Sequence, residues 1–408
     1  MPKIKSIRAK EIRDSRNNPT IEVELETEKE SFFASVPSGA STGKNEAVAL
    51  PAEQAIENVN KLIAPKLKGK SLIEQKEIDD FLIKLDGTEN KSKLGANAIL
   101  SVSMAVCRAG AAAQKAGLYE YIARLTEEVR PPRGDITSIK LPLPMFNFIE
   151  GGAHTVDRNQ LDFQEFMVVP QKKSFAQNMM ISNKIFSNLQ KIIEKNYGSD
   201  IQIGDEGGFA PKISKTEQAL LLLENVIGKE DSAIAIDAAA SQFLRVSKYI
   251  LEGSEVSRRG LLDFYKDLTK RFNIISIEDP FAEEDFEGFK ELLNELPNLT
   301  IVGDDLTTTN VKKIKEAYSK KACNGVVIKP NQIGTVSEAI KASNLAKSYG
   351  WRVVVSHRSG ETMDDFISDF AVGVGADFIK SGSPSQPERM VKYDRLLQIE
   401  DELRKKHG

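Results

Sequence analysis

AIAIDAAA (233–240), IISIEDP (274–280), TIVGDDL (300–306), GVVIKP (325–330), RVVVSHRSG (352–360) and DFIKSG (377–382) are six short apolar stretches, each ending in charged or polar residues. Asp237, Glu278, Asp304, Lys329, His357 with Arg358, and Lys380 stand at their C-terminal ends. Amphipathic stretches long enough for a helix separate them. A parallel strand is covered by helices on both faces, so it reads as a near-continuous apolar run. Strand–helix units repeated this often predict a closed (β/α) barrel, whose chemistry sits where the strands end. Three carboxylates, two lysines, a histidine and an arginine are thereby expected at one mouth. Charges placed against an apolar core are costly unless paired or liganded, so the pattern reads as a metal and substrate site.

Upstream of these units, LPLPMFNFI (141–149) and QEFMVV (164–169) are two strands with no helix between them, a hairpin-like start to the barrel. A helix over about 174–197 and the glycine-bearing loop IQIGDEGGFAP (201–211) follow, and a helix around 389–403 closes the chain. Further upstream, Ile21, Val23 and Leu25 alternate with Glu22, Glu24 and Glu26, the pattern of a half-buried antiparallel strand that 31–36 can join. DSRNNPT (14–20) is turn-rich. PSGASTG (37–43) is small and polar, as loops that act as lids often are. Ala55, Ile56, Val59, Leu62 and Ile63 make one apolar helix face, and Ile78, Phe81, Leu82 and Leu85 another. The Gly/Ala/Ser-rich stretch 94–116 favours close helix packing, with Cys107 a buried small hydrophobe.

The expected division is an α+β capping domain at 1–125 that carries the lid loop, a linker at 126–140, and the barrel at 141–408. The fold class is α/β: an N-terminal α+β capping domain followed by a ββαα(βα)6 TIM-like barrel. At 408 residues the chain has room for both, since such a barrel alone takes about 250. Basic and acidic residues number 56 and 59, well mixed, which argues against a nucleic-acid surface. Two cysteines without CxxC spacing predict neither a disulfide framework nor a structural zinc site. No charged-then-apolar leader and no apolar run near 18 residues is evident, so a cytoplasmic protein with no membrane partner is expected.

Asp237, Glu278 and Asp304 at successive strand ends, with no thiolate or imidazole among them, suit a hard oxygen-preferring cation, magnesium first. Burial and Lys380 should lower the pKa of Lys329, and the three acids should oppose this; a lysine so tuned can act as a general base. Arg358 and Ser359 fit a phosphate cradle. Glu206, between the glycines of GDEGG, can approach a ligand closely.

The chain resembles the enolase family over nearly its whole length. The resemblance is carried by DSRNNPT, PSGASTG, KLGANAILSVS, QEFM, GDEGGFAP, IDAAAS, SIEDPFAEEDFEGF, IVGDDLTTTN, KPNQIGT, SHRSGET and IKSG, in the family's order. It implies a dehydratase that interconverts 2-phosphoglycerate and phosphoenolpyruvate, in glycolysis and gluconeogenesis, with two magnesium ions, in a homodimer or larger assembly. It implies that Asp237, Glu278 and Asp304 hold the first magnesium and that Ser41 reaches the second. It implies Lys329 as the base and Glu206 as the acid, with Glu165 and His154 beside it. Arg358 and Ser359 would bind phosphate, Lys380 the carboxylate end, and Gln164, His154 and His357 would line the pocket. The alternatives are a superfamily paralogue acting on another carboxylate, or a non-catalytic enolase-like binding protein.

Some residues depart from the family pattern. The family's NGGxHAGN reads here as residues 150–157, EGGAHTVD, and His154 stands eleven residues before Glu165 instead of nine. Asn17 replaces the Gly of DSRGNPT, and Gln242 the usual Glu after IDAAAS. A charged segment after the lid loop and an aromatic tail after the last helix are missing, which bears on subunit contacts and loop closure.

Overall fold

A computed structural model describes residues 2–39, 43–72, 74–128, 139–155 and 161–407. Ser41 and the PPRGD part of the linker lie outside the described residues.

Eight strands close the barrel. They are Leu143–Glu150, Glu165–Pro170, Ser232–Asp237, Ile274–Glu278, Thr300–Gly303, Gly325–Ile328, Arg352–Ser356 and Phe378–Lys380. Glu165–Pro170 pairs antiparallel with both neighbours, the other pairs are parallel, and Phe378–Lys380 returns to Leu143–Glu150. Two helices, Phe175–Tyr197 and Thr216–Ile227, follow the first two strands, and each later strand is followed by one main helix, as the ββαα(βα)6 order requires. Met145, Met167, Val169, Ala235, Val302, Val327 and Val354 fill the barrel interior. Alternate residues of the same strands pack outward against the helices, which is why these strands read as continuous apolar runs.

In the capping domain, Ser6–Arg13, Pro19–Glu26 and Ser31–Ser35 form an antiparallel meander. The first strand was not expected; only Ile7 and Ala9 along it are buried, too short an alternation to stand out. Asn17 lies in its turn at φ 61°, where Asn substitutes for Gly at low cost. Ala55, Val59 and Ile63 are buried as read, but Leu62 is exposed. Residues Val59–Ile63 form a π-helical turn, whose extra residue rotates Leu62 off the apolar face. The helix Leu118–Glu128 runs on past residue 125.

No apolar run near 18 residues was expected, yet the helix Ala96–Ala113 is long and apolar enough to cross a membrane by length and composition. It is instead a core helix, with 83% of that stretch buried. A Cβ on Gly110 would collide with Leu72 and Tyr121, so the small residues serve close packing. Cys107 and Cys323 are free and buried. A small three-stranded meander over Leu244–Val256 also went unanticipated.

Candidate active site

Among the described residues, one cavity at the C-terminal mouth of the barrel is lined by every expected site residue except Glu278. Glu278 lies beneath the lining: it is buried and both its oxygens accept from Lys380 Nζ, at 2.8 and 2.9 Å. The same ammonium reaches Asp237 Oδ2 at 3.3 Å and Glu165 Oε1 at 3.5 Å. Gln164 donates to Asp237 Oδ2 as well, at 3.3 Å. Lys329 Nζ pairs with Asp304 Oδ2, whose other oxygen takes the Gln332 amide at 3.0 Å.

These groups stand at one end of adjacent barrel strands in register, the antiparallel strand contributing its first residue, Glu165, opposite Asp237, so their side chains leave the sheet at one level. Glu278 pairs with Asp237 across adjacent strands, and Lys380 with Ser356. Burial, and then the Asp237 charge, push the Glu278 carboxyl well above its ordinary range. Burial also raises Asp304, but Lys329 and Lys380 outweigh it and the net direction is downward. For Lys329, burial pulls the pKa down most strongly, yet Asp304 and Glu278 prevail and it stands above the ordinary lysine value. The opposition foreseen from the sequence is therefore won by the acids.

Opposite lies a second cluster. Glu206 is buried, its Oε2 accepts from Asn147 Nδ2 at 3.1 Å, and His357 Nε2 lies 3.1 Å from the same oxygen. Burial would raise its carboxyl, but the two facing imidazoles and Arg389 draw it below the carboxylate range. The altered loop still delivers His154 here: its Nδ1 lies 3.7, 4.0 and 3.8 Å from Glu150, Glu165 and Glu206, too far for a hydrogen bond. Burial, then the Glu206 charge, drive Glu165 well up, and do the same for Glu150. Residues 156–160 of that loop lie outside the described ones. Gln242 donates to Gln164 and accepts from the Ala153 amide at 3.1 Å, so it ties the loop to the strand.

Several residues here escaped the sequence reading. Glu46 grips Arg358 through both guanidinium ends, at 2.9 and 3.3 Å, and Asn331 adds a contact at 3.1 Å. Glu150 accepts the backbone N–H of Glu206 at 3.1 Å and that of Gly208. A Cβ on Gly204 or Gly208 would strike that carboxyl, which explains two glycines of GDEGG. Asp279 accepts the amides of Asp304 and Asp305, at 3.0 and 2.8 Å, and so orients the following strand end. Asp305 is pushed up to about 7 by burial and by Asp304. IEDP and GDDL each hold two adjacent acids, the one available signal for Asp279 and Asp305.

The donors at the mouth suit a hard cation. They are carboxylate oxygens, and Glu278 is raised by burial and by a neighbouring negative charge, as expected where the two lysines alone leave negative charge in excess. Asp279, Asp304 and Asp305 form one group of potential ligands within 4.8 Å, and His154, Glu165 and Glu206 another. Asp237 and Glu278 are instead drawn to Lys380, which stands where a cation's charge is needed.

Residues 138–407 match the family model described as enolase, C-terminal TIM barrel domain, and residues 4–122 match the enolase N-terminal domain. The chain belongs to the enolase family. An enolase of Methanocaldococcus jannaschii is 46% identical over 417 aligned positions, covering 98% of this chain and 95% of that relative. As an enolase-family member the chain is a lyase, a phosphopyruvate hydratase, acting on a phosphorylated carboxylate with a metal cofactor.

Proposed function

We propose that this protein reversibly dehydrates 2-phosphoglycerate to phosphoenolpyruvate, in glycolysis and gluconeogenesis, with two magnesium ions. The observation that carries this reading is a single cavity faced by Lys329, by the Glu206–His357 pair, and by Arg358 with Ser359. A base, an acid and a phosphate cradle around one small volume are what an elimination from a phosphorylated hydroxy acid needs.

In this reading Asp237, Glu278 and Asp304 would hold the first magnesium and Ser41 would reach the second. Bound there, the metal would supply positive charge at the substrate carboxylate, which acidifies the adjacent C–H and steadies the charge formed on its loss. Lys329 removes that proton. Asp304 is the chief influence holding Lys329 above its ordinary value. Were Asp304 to hold a cation, burial, Lys380 and Arg358 would favour the basic, neutral form of the lysine. Lys380 binds the carboxylate end, Arg358 and Ser359 the phosphate, and Gln164 and His154 line the pocket.

Glu206 delivers a proton to the departing hydroxyl, with Glu165 and His154 as partners. Glu150, Glu165 and Glu206 are buried together, and three like charges at such range do not all ionise, so protons belong to the cluster as a unit. The raised Glu165 is its natural reservoir.

The proposed domains are 1–125 and 141–408 with a linker at 126–140, supported by family models that end at 122 and resume at 138. A cytoplasmic location fits the family. We also propose a homodimer or larger assembly, supported by family membership and by Phe33 and Met363, which are 47% and 61% exposed in one open cleft. Light scattering at working concentration should give at least a dimer mass; a monomer mass would refute this.

The test of the reaction is an NMR assay of 2-phosphoglycerate with magnesium. Phosphoenolpyruvate should form, EDTA should stop it, and added magnesium should restore it. Folded protein with magnesium that leaves the substrate unchanged would overturn the reading, and full turnover in metal-free buffer would overturn the cofactor assignment.

A further inference from the structure

Arg389, near the start of the helix Pro387–His407, is fully buried at 0% exposure, yet it has no part in the reaction as proposed. Its Nη1 lies 2.6 Å from the carbonyl oxygen of Arg358 and 2.7 Å from His357 Nδ1. Its Nη2 donates to the Ser359 carbonyl at 2.6 Å and the Asp205 carbonyl at 2.9 Å, and its Nε to Gln386 at 3.3 Å. All these acceptors are neutral, and among the described residues no carboxylate forms an ion pair with it. A guanidinium buried without a counter-ion is expensive, and this one joins the loop bearing Glu206 to the loop bearing His357, Arg358 and Ser359.

A guanidinium has five donors and no acceptor. The nitrogen it touches on His357 must therefore offer a lone pair, which leaves the ring proton on Nε2. Nε2 lies 3.1 Å from Glu206 Oε2, near it but not aligned for a hydrogen bond. A second proton, on Nδ1, would have to point at the arginine. We propose that Arg389 is a positioning residue that locks His357 as the neutral Nε2–H tautomer, so that the ring turns a proton and not a lone pair toward Glu206 and cannot take its proton. The inference rests on reading Glu206 as the proton donor to the leaving hydroxyl. Burial, reinforced by Arg389, drives the His357 pKa down to about 4, in keeping with a ring that stays neutral.

The experiment is ring-nitrogen NMR on the full-length protein, which has three histidines, with His357 assigned through loss of its signals in His357→Asn. The native protein should show His357 protonated at Nε2 alone; protonation at Nδ1, or at both nitrogens, overturns the proposal. Arg389→Met should shift His357 toward the doubly protonated ring beside Glu206. It should also lower kcat roughly 10²-fold with little change in KM and with exchange of the substrate α-proton retained. An unchanged tautomer in that variant overturns the proposal, as does a loss confined to KM, which would mark Arg389 as a mere brace for the phosphate cradle. Arg389→Lys keeps a cationic donor and should restore the tautomer together with part of kcat; if Arg389→Met does not fold, this variant and the native spectrum decide, and kcat recovered without the Nε2–H form overturns it. Failure of the Glu206 reading would show separately, as continued dehydration by Glu206→Gln while His357 still answers to Arg389.

Discussion

Lys329→Ala abolishes both dehydration of 2-phosphoglycerate and exchange of its α-proton with solvent deuterium. The two losses come together because the lysine acts on the first bond to break. The backbone N–H of Lys329 is tied to Thr309 at 2.9 Å, and its side chain is paired with Asp304, which fixes the place of the base in the cavity. Lys380 is enclosed by Glu165, Asp237 and Glu278 and held well above the ordinary lysine range by them against the pull of burial. An acid or base lost alone costs roughly 10²–10⁴-fold. The same substitution leaves Asp304 without its ammonium, beside Asp279 and Asp305. Removing one partner of a fully buried pair costs about 3 kcal/mol or more, and this pair, 13% and 11% exposed, should cost somewhat less, so the variant should unfold at lower temperature than the parent in EDTA. Magnesium should recover much of that loss, because a cation binding only the folded form stabilises it. Thermal melts with and without magnesium read this directly, and equal destabilisation in both conditions would speak against a cation site around Asp304.

Glu206→Gln, in contrast, should stop dehydration by roughly 10²–10⁴-fold while α-proton exchange stays measurable. Glutamine has nearly the same shape and can still accept from Asn147, so the Glu150 bonds to the loop backbone and the placement of His357 need not change. What it lacks is a proton to give. The metal ligands and Lys329 are untouched, so the first step remains open and the substrate returns deuterated. Retention of dehydration by this variant would move the acid to Glu165 or His154, the other members of the cluster.

The barrel was legible because its strands are buried on both faces and end in residues that break the apolar run: Asp237, Glu278, Asp304, Lys329 and Lys380 announce themselves by position. The long motifs drew attention to PSGASTG and GDEGG. Residues that act through the backbone or from a neighbouring loop were not legible in the same way. Glu46 is an acid in an ordinary polar stretch until the fold brings it 312 positions along the chain to Arg358. Arg389 looks like one more charge at a helix start, and only burial shows that every donor it has is committed. Glu150 was visible as a departure from the family pattern, but its task of holding the amides of Glu206 and Gly208 appears only in three dimensions. Leu62 misled because periodicity assumes 3.6 residues per turn, which the π turn at Val59–Ile63 does not keep.

One measurement tests the central assignment of base and acid most directly: NMR of 2-phosphoglycerate in deuterated magnesium buffer with the parent protein, Lys329→Ala and Glu206→Gln side by side. The parent should form phosphoenolpyruvate and exchange the α-proton, Lys329→Ala should do neither, and Glu206→Gln should exchange without forming product. Exchange that survives in Lys329→Ala and vanishes in Glu206→Gln would contradict the account, because the proton would then leave on the opposite side of the cavity.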